Sequence, residues 1–133
     1  MNNDKSEISN YTYLSHMNSN PKIGIVGAGI AGLTAGIMLE KLGFQVEIFE
    51  AAEKVCGIGA GIGLASNAMK AFEYLGLEEE IMAISNLLKE FQIVDSKGKS
   101  ILKTATDRIT QNYNTENFVI HRSDLHAYLV SKI

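Results

Sequence analysis

The stretch Lys22-Ile23-Gly24-Ile25-Val26-Gly27-Ala28-Gly29-Ile30-Ala31-Gly32 decides the fold. Its first half is a short apolar run rich in β-branched residues, which suits a buried parallel strand. Gly27-Ala28-Gly29 breaks that run. From Ile30 to Leu42 small and apolar residues dominate, with helix formers and no proline, so a helix is predicted there. Gly43 then stands where a left-handed helix cap belongs. Gln45-Val46-Glu47-Ile48-Phe49-Glu50 reads as a second strand. Strand, glycine turn, helix and strand in this order form a βαβ unit, whose crossover is expected to be right-handed.

Each glycine of the turn has its own physical role in a dinucleotide-binding fingerprint. Gly27 allows the tight turn, Gly29 lets the backbone approach a pyrophosphate, and Gly32 lets helix and strand pack closely. The helix that follows offers unpaired N–H groups and a positive dipole end to phosphate. Glu50 closes the second strand roughly 20 residues past the turn, where an acidic group hydrogen-bonds the adenosine ribose. A carboxylate there also repels a 2′-phosphate, which disfavours NADP at this position. These two elements fit NAD and FAD equally.

On the N-terminal side of this unit, order is expected to begin near Pro21. The first twenty residues are polar, lack an apolar signal-peptide core, and read as a disordered extension without chemistry. On the other side, residues 51–65 are glycine-rich and read as irregular. Ser66 is a candidate cap for a helix through Met69, Phe72 and Leu75 that Gly76 ends, and Leu77 to Ile84 reads as a further short helix. Phe91 to Asp95, a turn at Ser96-Lys97-Gly98-Lys99, and a return at Ile101-Leu102 predict a hairpin. Residues 105–117 read as loop and Phe118 to His121 as a strand. Ser123-Asp124 is placed to start a last helix, with Leu125, Leu129 and Val130 on its apolar side and Ile133 inside it. The expected core is a parallel sheet of strands near 22–27, 45–50 and 118–121, with the 30–42 helix packed on it. The hairpin is expected to stand apart and begin a second layer.

Composition narrows the function. The 133 residues are 46% hydrophobic and 20% charged, an ordinary globular balance for one modest domain. The formal net charge is −3 with no basic stripe, which argues against nucleic acid, since phosphate neutralisation needs clustered Lys and Arg. No segment has the length and apolarity of a membrane span. The single cysteine, Cys56, cannot form an internal disulfide, which points to a reducing cytoplasmic compartment, and it reads as a packing residue. No metal-ligand pattern stands out, and no catalytic residue is assigned.

Two further segments carry a family resemblance. Gly59-Ala60-Gly61-Ile62-Gly63-Leu64-Ala65-Ser66-Asn67-Ala68, followed by Leu75-Gly76-Leu77, resembles the segment that follows the ribose-binding Glu in the FAD-dependent aromatic hydroxylases. These are the single-component flavoprotein monooxygenases of the salicylate hydroxylase type. His121-Arg122-Ser123-Asp124-Leu125 is similar to the H-R-x-D-L motif of that family, in which the Arg contacts the flavin cofactor. An Arg at a strand-to-helix junction can offer fork donors to phosphate or ribose oxygens. His121 itself reads as a half-buried strand residue. Relatives often carry an Arg where this chain has Lys54 and Cys56, and a Pro where it has Ser66.

The resemblance covers residues 22–133 and implies an incomplete Rossmann-like FAD-binding fold, the N-terminal portion of an FAD-binding domain spanning 21–133. It implies FAD as cofactor, with Gly27, Gly29, Gly32, Glu50 and Arg122 binding it and the backbone at Glu50-Ala51 and Gly63-Leu64 lining its channel. It also implies NAD(P)H as electron donor, and O₂ and a small aromatic compound as substrates of a hydroxylation. Members of the family continue into a second, Gly-Asp flavin motif and a substrate-covering sheet, so this span alone is expected to be inactive. The alternatives are an NAD-dependent dehydrogenase domain and a non-catalytic, truncated nucleotide-binding protein.

Overall fold

The computed structural model describes residues 21–53, 60–105 and 114–133. The expectations for residues 1–20, for Lys54, for Cys56, for Gly59 and for most of the loop over 105–117 fall outside these segments. The chain begins with strand β1 (Lys22–Val26), helix α1 (Ile30–Lys41) and strand β2 (Gln45–Phe49). β1 and β2 pair in parallel, with Ile25 opposite Ile48 and Val26 opposite Phe49. Alternation places Ile25 and Ile48 under α1, where both reach Gly36. A Cβ at Gly36 would stand 2.9 Å from the Ile48 side chain and 3.1 Å from that of Ile133. The glycine therefore permits the helix to lie close on the sheet while Ile133 packs beside it. The other face of the pair carries Val26 and Phe49, 91% and 55% exposed. At the far end of α1, Gly43 adopts φ 89°, the left-handed conformation that stops the helix.

The third predicted strand of this sheet belongs elsewhere. β7 (Phe118–His121) does not join β1 and β2. It is the centre of a separate antiparallel sheet, between β3 (Gly61–Leu64) and the short β4 (Asn86–Leu87). β3 lies in the segment expected to be irregular. Its glycines weaken the strand signal, yet pairing with β7 on one side satisfies those backbone groups from Gly61 to Leu64 that face it, whatever the side chains. β7 alternates Phe118 and Ile120, both buried, with the more open Val119 and His121. His121 is exposed, not half-buried.

Between these strands lie α2 (Ser66–Leu75) and α3 (Glu78–Ala83). Met69 and Phe72, three residues apart, face the core, and Gly76 at φ 76° ends α2. Ser66 does not cap α2 as expected. It is the first helical residue, fully buried, and its hydroxyl donates towards Thr115 O and Asn117 Oδ1 at 3.2 and 3.3 Å. Asn117 Oδ1 also accepts the Ser66 N–H at 3.1 Å, so the side chain that satisfies this helix end comes from 51 residues away. β5 (Glu90–Val94) and β6 (Ser100–Ala105) form the expected hairpin as a two-stranded sheet of their own. Its turn is held by Asp95, whose carboxylate accepts from the N–H groups of Lys97 and Lys99.

α4 (Arg122–Val130) begins directly after β7. The helix ends at Val130, with Ser131 as its cap, so Ile133 lies beyond it rather than inside it. Leu125 and Leu129, one turn apart, are fully buried, whereas Val130 is partly exposed. The core these residues join includes Leu33 of α1, Leu64, Met69, Phe72, Ile81, Phe118 and Ile120. Lys132 reaches Glu80 at 3.2 Å and fastens the end of α4 to α3. Among the described residues, no helix is long and apolar enough to cross a membrane.

Candidate functional site

The site is built on the turn between β1 and α1. Gly27 adopts φ 101°, a conformation that L side chains rarely take, and its N–H donates to Phe49 O at 2.7 Å. This bond ties the turn to the end of β2. A Cβ on Gly32 would lie 2.0 Å from Gly27 O, so α1 crosses the turn at a distance only glycine allows. Among the described residues, a Cβ on Gly29 would meet nothing within 4 Å, which leaves the turn open to them on the side where α1 begins. Gly29 is the N-cap of α1, in extended conformation, and among the described residues no side chain caps that end. The first-turn N–H groups have no carbonyl one turn back and are available to an anion.

Glu50 stands directly beside this turn. Its Oε2 accepts the Ala28 N–H at 2.7 Å and its Oε1 accepts the Ala52 N–H at 2.9 Å. The N–H donors of Ala52 and then Ala28 hold its carboxyl below the ordinary carboxylate value, partial burial opposes them, and Ala51 and the nearby His126 add to the lowering. Glu50 is thus an anion at neutral pH, beside a turn that itself attracts anions. A carboxylate in this position can accept hydroxyl donors of a sugar on its remaining lone pairs.

His126 also belongs to this site, and no motif marks it in the sequence. It lies in α4, buried, and its Nε2 is 2.6 Å from Ala28 O. The signal available in sequence was a polar ring directly after Leu125 on a helix whose Leu125 and Leu129 face the core, where a buried polar atom requires a partner. Arg122 stands one turn before His126 at the start of α4, and its backbone N–H donates to Ala60 O at 3.2 Å. Gly63 is exposed in β3, with open space beside its Cα among the described residues, and Gly61 pairs with His121. The Leu64 side chain is core, so only its backbone can face a ligand. The turn, Glu50, Ala51 and His126 therefore converge, while Gly63 and Arg122 belong to the second sheet and the helix that leaves it. Among the described residues, no group of three or more His, Cys, Asp or Glu could hold a metal ion.

A parallel βαβ unit with an open glycine turn and an acidic second-strand end defines a nucleotide-cofactor-binding α/β domain. Residues 21–130 match the family model described as FAD binding domain. The chain belongs to that family, and FAD is its cofactor. It is 34% identical over 112 residues to 3-amino-4-hydroxybenzoate 2-monooxygenase of Streptomyces cremeus, covering 83% of this chain and 28% of that protein. It is 34% identical over 119 residues to 3-hydroxybenzoate 6-hydroxylase of Polaromonas naphthalenivorans, covering 86% and 30%. Among solved structures, 2-methyl-3-hydroxypyridine-5-carboxylic acid oxygenase superposes with a TM-score of 0.75 at 27% identity, over 86% of this chain and 29% of that one. The HpxO protein of Klebsiella pneumoniae, solved with FAD and uric acid, shares the fold with a TM-score of 0.73 at 22% identity, over 87% and 29%. The chain spans less than a third of the length of these relatives.

Proposed function

We propose that this chain is the FAD-binding part of a flavin-dependent monooxygenase that uses NAD(P)H and O₂ to hydroxylate a small aromatic substrate. One observation carries the cofactor half of the reading: the carboxylate of Glu50 is bonded to the Ala28 N–H beside a glycine turn with open space at Gly29. The reaction half rests on the relatives, whose names are those of aromatic monooxygenases and hydroxylases. In this reading residues 21–133 are the N-terminal portion of a Rossmann-like FAD-binding domain, and hairpin β5–β6 begins its second layer. The single cysteine favours a reducing, cytoplasmic setting.

The residues fit the cofactor in charge and in space. The open N-terminal turn of α1 at Gly29 receives the pyrophosphate, where backbone N–H groups and the helix dipole favour negative charge. Gly32 keeps α1 close to the turn, so that these N–H groups stay aimed at one place. Glu50 accepts the ribose hydroxyls, and its negative charge sets it against a 2′-phosphorylated nucleotide. Arg122 offers its guanidinium fork to ribose or phosphate oxygens, with the backbone at Ala51, Gly63 and Leu64 lining the channel. The chemistry supplied by the bound flavin is acceptance of hydride from reduced nicotinamide and activation of O₂ for transfer of one oxygen atom to the ring.

The test is a titration of the purified protein with FAD, and separately with NADH, followed by quenching of flavin or reduced nicotinamide fluorescence. The expected result is saturable FAD binding, no comparable NADH binding, and loss of the FAD signal in Gly29→Val, whose side chain fills the open side of the turn. Equal affinity of wild type and Gly29→Val would remove the turn from the site. Preferential binding of NADH would replace the flavoprotein reading by that of a dehydrogenase domain.

A further inference from the structure

Residue 28 is held from both sides by side chains of two other elements. Its N–H is bonded to Glu50 at the end of β2, and its carbonyl is 2.6 Å from His126 Nε2 in α4. A carbonyl oxygen can only accept, so the proton of this bond sits on Nε2 of the ring. The contact spans 98 residues of sequence and is buried.

The consequence follows from the geometry of the peptide bond. The Ala28 carbonyl and the Gly29 N–H belong to one trans peptide plane and point in opposite directions. A donor that fixes the carbonyl towards α4 thereby turns the Gly29 N–H away from α4, to the side where Gly29 has open space. Gly29 has no side chain to restrain this peptide, and Gly27 before it is at φ 101°. Without an anchor, the 28–29 peptide is free to rotate towards the arrangement in which its carbonyl faces the open side and opposes an anion. The bond to Glu50 cannot prevent this, because it holds the preceding peptide plane.

We propose that His126 is a positioning residue for the pyrophosphate-binding turn: by donating from Nε2 to Ala28 O it orients the Gly29 N–H towards the ligand. The same bond sets α4 against the turn. Arg122, one turn earlier on the same side of α4, is thereby held in a defined relation to Gly29. This inference rests on the reading of the turn as the FAD pyrophosphate site.

The experiment compares wild type, His126→Leu, which removes the donor, and His126→Gln, whose amide can restore it. FAD affinity is measured well below each melting temperature, and the Gly29 amide is followed by ¹⁵N-resolved NMR in the ligand-free protein. His126→Leu is expected to weaken FAD binding about tenfold, the fold-change that matches loss of one hydrogen bond. It should also shift the Gly29 amide and slow its solvent exchange, because the N–H then turns from the open side towards α4. His126→Gln should return the affinity to within about threefold of wild type, a rescue that a packing role for the ring does not give. An unchanged FAD affinity and Gly29 amide in His126→Leu would overturn the proposal, as would failure of His126→Gln to recover either one. Should His126→Leu not fold, the wild-type ring decides: ¹H–¹⁵N correlations must show the proton on Nε2, and a neutral ring protonated on Nδ1 refutes the bond. Absence of FAD binding by wild type would instead strike the cofactor reading, while the ligand-free Gly29 amide would still judge the anchor.

Discussion

Gly32→Ala separates two opposing physical effects at one atom. Position 32 is the third residue of α1, and in a helix alanine is favoured over glycine by about 0.8–1 kcal/mol. Propensity alone therefore predicts stabilisation. The structure predicts the opposite sign. The new methyl would lie 2.0 Å from Gly27 O and 3.2 Å from Gly27 C, and 3.0 Å is the closest approach that side-chain β-carbons ordinarily keep. The obstacle is backbone, tied by the Gly27 N–H to Phe49 O at 2.7 Å, so it cannot swing aside as a flexible side chain would. Either α1 lifts from the turn by roughly 1 Å or the turn itself opens, an overpacking cost of about 1–3 kcal/mol or more. Net of propensity, the expected loss is about 2 kcal/mol or more at the upper end, with a fall in Tm of roughly 3–5 °C for each kcal/mol in a chain of this length. Thermal melting by circular dichroism measures it, with Gly29→Ala as control. Gly29 has φ −74° and open space among the described residues, so alanine there should cost only the small N-cap preference for glycine and melt above Gly32→Ala. FAD affinity should fall in Gly32→Ala as the first-turn N–H groups of α1 move. A Gly32→Ala protein that melts at or above the wild-type temperature would refute the close crossing of α1 over the turn.

Glu50→Ala is expected to weaken FAD binding, because hydrogen bonds to a charged group are lost, and equal flavin affinity in variant and wild type would take the ribose role from this residue. Glu50 also gives a pH signature: its folded carboxyl lies below the ordinary value of 4.5, so its stabilising bonds to Ala28 and Ala52 are fully present above that pH and are lost as pH falls through the folded value. The Tm difference between wild type and Glu50→Gln should accordingly be constant from neutrality to about pH 5 and shrink below pH 4.5, and a difference that grows on acidification would contradict the assignment. Asn117→Ala strips the buried Ser66 N–H of its acceptor and should cost about 1–3 kcal/mol in denaturant unfolding, with wild-type stability as the outcome that rejects this bond as the tie between α2 and the chain entering β7.

The βαβ unit was legible because its determinants are local. An apolar strand, a glycine turn, a helix without breakers and an acidic strand end lie within 29 residues, and each constrains its neighbours through backbone geometry. The three glycines differ in what the backbone asks of them: Gly27 takes a positive φ, Gly32 lets α1 pass close over the turn, and Gly29 leaves space open beside it. The helix ends at Gly43 and Gly76 and the hairpin at Gly98 were readable for the same reason, since a left-handed residue marks itself in sequence.

What the sequence could not determine was the choice among distant partners. Phe118 to His121 has the composition of a strand in either sheet, and only packing against Leu64, Met69 and Leu125 selects the antiparallel one. Gly61 to Leu64 becomes a strand because a neighbouring edge supplies its hydrogen bonds, a cause that lies outside its own residues. Ser66 was readable as a cap, yet burial gave it Asn117 and Thr115 as partners. His126 looks like any helix residue until α4 is laid beside the glycine turn and its ring meets the Ala28 carbonyl. Backbone conformation is decided within a few residues and is written there. The partner of a buried polar group is decided by where the chain folds back, and that is a property of the tertiary structure alone.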